Sequence, residues 1–373
     1  MKAMVLTAPF ELVPDEVARP EPNENHVLVR MTHSGICGTD FKIYSGAIPV
    51  NYPRIMGHEM AGEVVSVASG AGPVASGFSR TSSSPVASDS DPVASGFSRT
   101  GAANEGPLRP GERVIIDPEL YCGACFHCRI GQTHLCPNGM LIGRDTDGGF
   151  AEYVTAPASH VFPLPASIDS RTAPLIQVLT TCLHAQRQVE IFPGESVAVL
   201  GLGVTGQLHV QLAKARGASP VIGITRSADK RALAEKLGAD LTIPGGDASI
   251  DKVREATEGR GADVVIETTG VLPMLASGIA MARFGGRLLL FGIFTVNEGA
   301  LPFYDLYFKE LRLINSRVAK SEDYPSALAL VQRGIVRLEP LISNVMPLGE
   351  LKTAIGMLGS DSAQRMKIIM DHG

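Results

Sequence analysis

A chain of 373 residues is long enough for two domains with separate cores, and 45% hydrophobic with 19% charged residues is an ordinary globular composition. A formal net charge of -5, with no long Lys/Arg run, argues against nucleic acid or an anionic membrane as partner. The opening MKAMVLTAPFELVP lacks the basic start, long apolar centre and cleavage site of a secretory signal, and no apolar run reaches about eighteen residues, so a cytoplasmic location with reduced thiols is expected.

From Met1 to about Phe162, short β-like runs (Val27 to Met31, Gly62 to Val67, Arg113 to Ile116, Ala151 to Val154) alternate with Gly, Pro and Asn, which predicts a twisted β-rich domain. Within it, Cys37-Gly38-Thr39-Asp40 follows a predicted strand and Gly57-His58-Glu59 opens the next segment. A thiolate, an imidazole and a carboxylate are three protein ligands that leave a zinc position open for a substrate oxygen or a water. Singly, Cys37 reads as a small core residue, His58 as a structural histidine and Glu59 as a surface charge. The case rests on the combination.

Between the runs ending near Val67 and opening at Arg113, PVASGFSRT occurs at Pro73 to Thr81 and again, letter for letter, at Pro92 to Thr100, with PVAS at Pro85 to Ser88. The segment has too few large apolar residues to bury, and it reads as a disordered surface insertion. Loop closure grows only logarithmically with length, so the added residues cost on the order of 1 kcal/mol.

Next comes YCGACFHCRIGQTHLC, which sets Cys122, Cys125, Cys128 and Cys136 at C-x2-C-x2-C-x7-C spacing. Two-residue gaps aim successive sulfurs at one point and the longer gap closes the knuckle, which predicts a closed four-thiolate zinc site with no position for water. Disulfides are the alternative; the tight clustering and the absence of a signal peptide favour metal. With four sulfurs available, His127 and His134 read as surface residues.

From about Ile191 to Gly292 strand and helix alternate, with apolar strands at Val197 to Leu200, Val221 to Thr225, Asp263 to Glu267 and Arg287 to Phe291 and helices at Gln207 to Arg216 and Asp229 to Leu237. This predicts a doubly wound parallel sheet. Gly201-Leu202-Gly203-Val204-Thr205-Gly206 is a G-x-G-x-x-G between the strand ESVAVL and the helix QLHVQLAKARG, the context in which backbone amides meet a dinucleotide pyrophosphate. At the end of the second strand Thr225 and Arg226 stand where an Asp or Glu would bind a ribose hydroxyl pair. A hydroxyl followed by a guanidinium, with Lys230 nearby, suits a 2'-phosphate, so NADP is expected over NAD. Asp229 reads as a helix-start residue. From Leu311 the chain returns to mixed character and is expected to fold back onto the N-terminal domain.

In order, Cys37-Gly38-Thr39-Asp40, Gly57-His58-Glu59-Met60-Ala61-Gly62-Glu63-Val64, the four-cysteine lobe and the glycine fingerprint resemble the zinc-containing medium-chain alcohol dehydrogenases, in their polyol and threonine dehydrogenase branch. The resemblance spans nearly the whole chain except about Ala68 to Pro107. It implies an α/β architecture in two parts: a β-rich GroES-like catalytic domain over 1–178 and 310–373, and a doubly wound parallel Rossmann domain over 179–309. It also implies that Cys37, His58 and Glu59 match catalytic zinc positions, with Asp40 orienting the histidine. Gln177 falls where relatives carry a Glu or Cys at or near the fourth ligand position, and an amide oxygen coordinates only weakly. Cys182 reads as a packed thiol. Thr39 matches the hydroxyl that takes the substrate proton. Lys42 stands where many relatives carry a relay histidine, and reads either as a contact to the cofactor or as a solvated charge.

The function implied is interconversion of a secondary alcohol or polyol and its ketone by hydride transfer to or from NAD(P), on a small-molecule substrate, in a homo-oligomer, dimer or tetramer. Cleft residues are expected near Tyr44, Ile48 and Phe294. The rival is a non-catalytic relative that kept fold and cofactor pocket, which has no need of Cys37, His58 and Glu59 together.

Deleting Gly72 to Gly101 and joining the ends with a short Gly/Ser turn should leave zinc content, cofactor affinity and turnover close to wild type, because neither metal set nor the fingerprint draws a ligand from that stretch. Loss of activity, or break-up of an oligomer, in the deletion variant would mark the segment as an interface or cleft element.

Overall fold

A computed structural model describes residues 1–70, 107–359 and 365–373. Runs of Val, Ile, Leu and Met without a helical period form a seven-stranded mixed sheet, in the order Val161–Pro163, Arg113–Ile116, Glu59–Val67, His26–Gly35, Lys367–Asp371, Ile342–Pro347, with Tyr153–Pro157 also paired to His26–Gly35. Val27, Val29, Met31, Val64 and Val114 are buried in one cluster under this sheet. The predicted strands are present, the one expected at Ala151 to Val154 lying further along, at Tyr153–Pro157. The repeated segment Pro73 to Thr100 lies outside the described residues. The strands on either side of it are antiparallel neighbours, with Glu63 opposite Arg113 and Met60 opposite Ile116.

The second large sheet is wholly parallel and six-stranded. Its order is Leu241–Pro244, Val221–Thr225, Val197–Leu200, Ala262–Glu267, Ala282–Leu290, Arg312–Asn315, which places the first strand in sequence third and puts a topological switch point between it and the fourth. Val197 to Leu200 and Val264 to Ile266 are fully buried, as expected of parallel strands covered on both faces by helices. The sixth strand, Arg312–Asn315, lies beyond the expected boundary at 309/310. It pairs in parallel with Arg287 to Leu290, so the doubly wound unit runs past residue 309 before the chain turns back. Its mixed composition, RLIN, is that of an edge strand and hid it from a reading based on continuous apolar runs. The other expected boundary, 178/179, falls inside the helix Leu175–Val189.

The two crossings of the chain between the sheets are tied together. Leu175–Val189 carries the chain into the parallel unit, and the helix Asp323–Gln332 follows its exit and packs in the same apolar cluster. Phe162 of the mixed sheet stacks on Tyr324 at 4.7 Å between ring centres. The buried Asp323 pairs with Arg187 and sits 3.3 Å from His184 Nδ1, both on the incoming helix. Ser321 Oγ donates to Asp117 Oδ2 at 2.6 Å, and the Glu119 N–H donates to Oδ1 at 3.1 Å. Burial raises the Asp117 carboxyl to about 7, the two donors only partly opposing it.

That raised value sets a direction for stability. An unfolded aspartate titrates near 3.9, so the folded chain holds the extra proton, and stability falls as pH rises from about 4 to about 7. Asp117→Asn is isosteric, and the Ser321 hydroxyl can reverse to accept from its amide. Chemical denaturation of the wild type is expected to show a loss of roughly 3 kcal/mol between pH 5 and pH 8 that the Asn variant lacks. An identical pH slope in both proteins would refute it.

Candidate active site

Cys37, His58 and Glu59 converge: one ligand atom from each lies within 4.8 Å of the others. Three features of local sequence bring this about. Cys37 ends the strand side of the loop and caps the short helix Gly38–Tyr44, its N–H donating to Asp40 Oδ2 at 2.8 Å. His58 directly precedes the neighbouring strand Glu59–Val67, in which Glu59 lies opposite Gly35. Any side chain at position 35 would collide with the carboxylate, since a Cβ there would lie 1.9 Å from Glu59 Oε2. Asp40 is fully buried and its Oδ1 lies 3.4 Å from His58 Nδ1, which leaves Nε2 as the remaining ring nitrogen.

The electrostatics suit a cation. Burial opposes the charged forms, yet Asp40 holds the His58 imidazole well above its ordinary range, and His58 draws the Cys37 thiol below its own. Glu59 is fully buried, and behind it stands a residue absent from the sequence reading, Lys367. Its Nζ donates to Glu59 Oε1 at 2.6 Å, to Oε2 at 2.8 Å and to the Ile36 carbonyl at 3.0 Å. Burial would neutralise this lysine, but Glu59 holds its ammonium above the ordinary lysine value. With Cys37 as thiolate and the His58 imidazole neutral, as metal binding requires, Cys37, Asp40 and Glu59 are three anions against the one cation Lys367, and a divalent ion bound to Cys37, His58 and Glu59 would balance the two negative charges left over.

Of the other expected residues, Thr39 and Lys42 are half-buried on the helix Gly38–Tyr44. Gln177 is half-buried in the first turn of Leu175–Val189, a helix that packs in one cluster with Ala61 and Ile115 of the mixed sheet. Cys182 is fully buried and desolvation pushes its thiol upward, which fits the reading as a packed residue. Tyr44 differs from its expected place at the cleft: it is buried, its ring edge-on to Phe10 at 5.3 Å and its hydroxyl bonded to the Phe10 carbonyl. Ile48 packs against the same cluster and Phe294 against the parallel sheet. Helical spacing puts Tyr44 on the inner face of Gly38–Tyr44, with Asp40 and Ile43.

The four-cysteine lobe is clasped at its base by the strands Glu119–Leu120 and Met140–Leu141. Its Sγ atoms lie 3.4 Å (Cys125 to Cys128), 3.6 Å (Cys122 to Cys136) and 3.8 Å (Cys125 to Cys136) apart. A disulfide requires about 2.05 Å. A tetrahedron with zinc–sulfur bonds of about 2.3 Å has edges near 3.7 Å, so the spacing fits metal. Backbone N–H groups of Ala124 and Cys125 draw the Cys122 thiol down to about 6, while desolvation and the adjacent sulfurs push Cys128 up to about 12. Four thiolates this close require a cation to coexist. His127 and His134 are half-buried; His134 packs edge-on against His184 at 4.7 Å.

In the parallel unit the fingerprint forms the tight turn its spacing implies. Gly201 has φ +90°, and a Cβ on Gly206 would lie 1.9 Å from the Gly201 carbonyl oxygen, so the helix Val204–Ala215 starts directly against the strand end. A Cβ on Gly203 would meet nothing within 4 Å, which leaves its backbone open to a ligand. Thr268 Oγ1 donates to Leu200 and Gly201 carbonyls and fixes the turn. Thr225 closes the second strand, and Ser227 Oγ caps the helix Ala228–Lys236 by accepting from the Lys230 N–H at 3.3 Å. The Arg226 side chain is exposed and has no hydrogen-bond partner among the described residues. Arg231, which sequence reasoning missed, donates from Nη1 to the Thr225 and Arg226 carbonyls, both at 2.8 Å, and holds that corner. The dipeptide Lys230-Arg231 in the first helical turn was the available signal.

Comparison with known proteins agrees with both halves. A zinc-binding dehydrogenase family model matches residues 204–333, and an alcohol dehydrogenase GroES-like domain model matches 23–81 and 94–166. The chain is 32% identical to L-threonine 3-dehydrogenase of Pyrococcus abyssi, over 92% of this chain and 91% of that one. It is 29% identical to sorbitol dehydrogenase of Halalkalibacterium halodurans, over 97% of each. Among solved structures, a zinc-binding dehydrogenase of Sinorhizobium meliloti bound to NADP superimposes with a TM-score of 0.84 at 32% identity, covering 99% of this chain and 98% of the other. By sequence, by fold and by the residues brought together in it, the chain belongs to the zinc-binding medium-chain alcohol dehydrogenase family.

Proposed function

We propose that this protein interconverts a secondary alcohol or polyol and its ketone, using Cys37, His58 and Glu59 to hold a catalytic zinc and the Gly201 to Gly206 turn to hold a nicotinamide dinucleotide. The convergence of those three ligands, backed by Asp40, carries the reading. Zinc bound there supplies Lewis-acid polarisation of the substrate oxygen, and the dinucleotide supplies or accepts the hydride. The chain contributes the rest. Asp40 fixes the His58 ring, Thr39 Oγ1 lies between Cys37 and Asp40 in sequence to take the alcohol proton, and Gln177 stands as a weak neutral fourth donor. Lys42 is assigned to the cofactor side. The lobe of Cys122, Cys125, Cys128 and Cys136 is assigned a second, structural zinc.

Relatives named for sorbitol and threonine support a polyol or hydroxy amino acid as substrate. NADP is assigned over NAD because Arg226 presents an uncommitted guanidinium beside Thr225, with no acid at the strand end to repel a phosphate. The S. meliloti relative bound to NADP supports that choice. We assign the catalytic unit to 1–178 with the returning C-terminal stretch.

Purified protein should carry two zinc ions per chain, one more easily removed by chelator. Cys37→Ala should lose turnover with the fold intact by circular dichroism; full activity in that variant would sink the catalytic assignment. For the cofactor, Arg226→Ala removes one charge-assisted contact, expected to weaken NADP by about 1.5 to 3 kcal/mol, tenfold to a hundredfold, with NAD binding barely changed. Equal weakening of both dinucleotides, or a wild-type preference for NAD, would overturn the NADP assignment.

A further inference from the structure

We infer that Lys367 is a positioning residue that competes with the metal for Glu59 and so keeps the mixed-ligand centre from holding its ion too tightly; this rests on the reading of Cys37, His58 and Glu59 given above. An ammonium has three donors, and here each is used. Two go to the two oxygens of Glu59, and the third goes to the carbonyl of Ile36, the residue before Cys37. One side chain, 6% exposed, therefore grips both segments that deliver ligands to the centre. It arrives from the far end of the sequence, at the first residue of the strand Lys367–Asp371, which is bonded to His26–Gly35. Glu59 itself is fully buried, so bulk water does not reach its carboxylate.

A lysine whose task is packing alone would stabilise the metal-free and metal-loaded protein alike. The geometry here points elsewhere. Both carboxylate oxygens are already engaged, so a metal must share Glu59 with a positive charge a hydrogen bond away. Without Lys367 the metal-free protein is left with a buried, unpaired carboxylate, a costly arrangement. The metal-loaded protein is not, because the ion takes over the pairing. Loss of the lysine must then raise metal affinity at this centre while it lowers the stability of the empty form.

The experiment uses the full chain with zinc at both centres, in wild type, Lys367→Met, Lys367→Arg and the double variant Lys367→Met/Glu59→Gln. Zinc release to a chromogenic chelator is followed in time, and thermal midpoints are taken before and after removal of the zinc at the mixed centre. Lys367→Met is expected to release that zinc about tenfold more slowly, with release from the four-cysteine lobe unchanged. Its midpoint should drop more in the stripped form than in the loaded form. Lys367→Arg should stay within about twofold of wild type, and in the double variant the slowing should vanish. Faster or unchanged release from Lys367→Met, or an equal drop in both midpoints, would overturn the inference. If Lys367→Met does not fold, Lys367→Gln, neutral but still a donor, must show the same slowing. A wild-type protein that binds a single zinc would instead defeat the functional reading, whereas two zincs with unaltered release in Lys367→Met defeats only the role of the lysine.

Discussion

Charge that water cannot reach is the constraint on which the mixed sheet depends. Asp40, Glu59 and Lys367 are buried together around Cys37 and His58, and each ion taken out of water costs several kcal/mol unless a partner meets it at hydrogen-bond distance. The strands that carry Glu59, Gly35 and Lys367 are adjacent in the sheet, with Gly35 opposite both Glu59 and Ile369. A slip of one residue in either pairing would turn a buried carboxylate or ammonium to the opposite face. Electrostatics and strand register thus enforce each other, and the absent side chain at position 35 is what lets the backbone close on the carboxylate.

The two candidate metal sets differ in how the chain supplies them. The cysteine lobe draws its four sulfurs from fifteen consecutive residues, pinned by the short strands at Glu119 and Met140, and a metal can organise it with little help from the remaining structure. The mixed centre takes its groups from a helix start, a strand start and a strand near the other end of the chain. Long-range pairing has to precede it, since the closure of such distant segments is favourable only once the sheet exists. Local assembly suits a structural role, and late assembly within a formed cleft suits chemistry.

Much of this was legible in the residues. Val197 to Leu200 and Val221 to Thr225 are continuous apolar runs between turn-formers, and the strands occupy those residues. Cys37, His58 and Glu59 were recognisable only as a combination, and through the family resemblance that their two motifs carry. Lys367 was not, because in RMKIIMD a lysine reads as the polar member of an alternating strand, and nothing local says that it faces a carboxylate 308 residues away. Arg312–Asn315 escaped for a related reason: an edge strand needs only one apolar flank, and its membership is fixed by its neighbour Arg287 to Leu290. Half-buried His134 and buried Tyr44 likewise depend on partners, His184 and Phe10, that only the tertiary fold supplies.

The contact between Gly206 and the Gly201 carbonyl leaves no slack between strand and helix. Because the turn is held by backbone, by Thr268 and by the buried strand itself, the cradle for an anion is rigid before anything enters it. A dinucleotide held there as proposed would cost little conformational entropy at this end, and the helix dipole would meet its pyrophosphate without reorganisation. Under the proposed function, discrimination among nucleotides falls to the corner at Thr225 and Arg226, where the guanidinium is exposed. On that reading grip and selectivity reside in separate residues, so a change at one corner need not disturb the other.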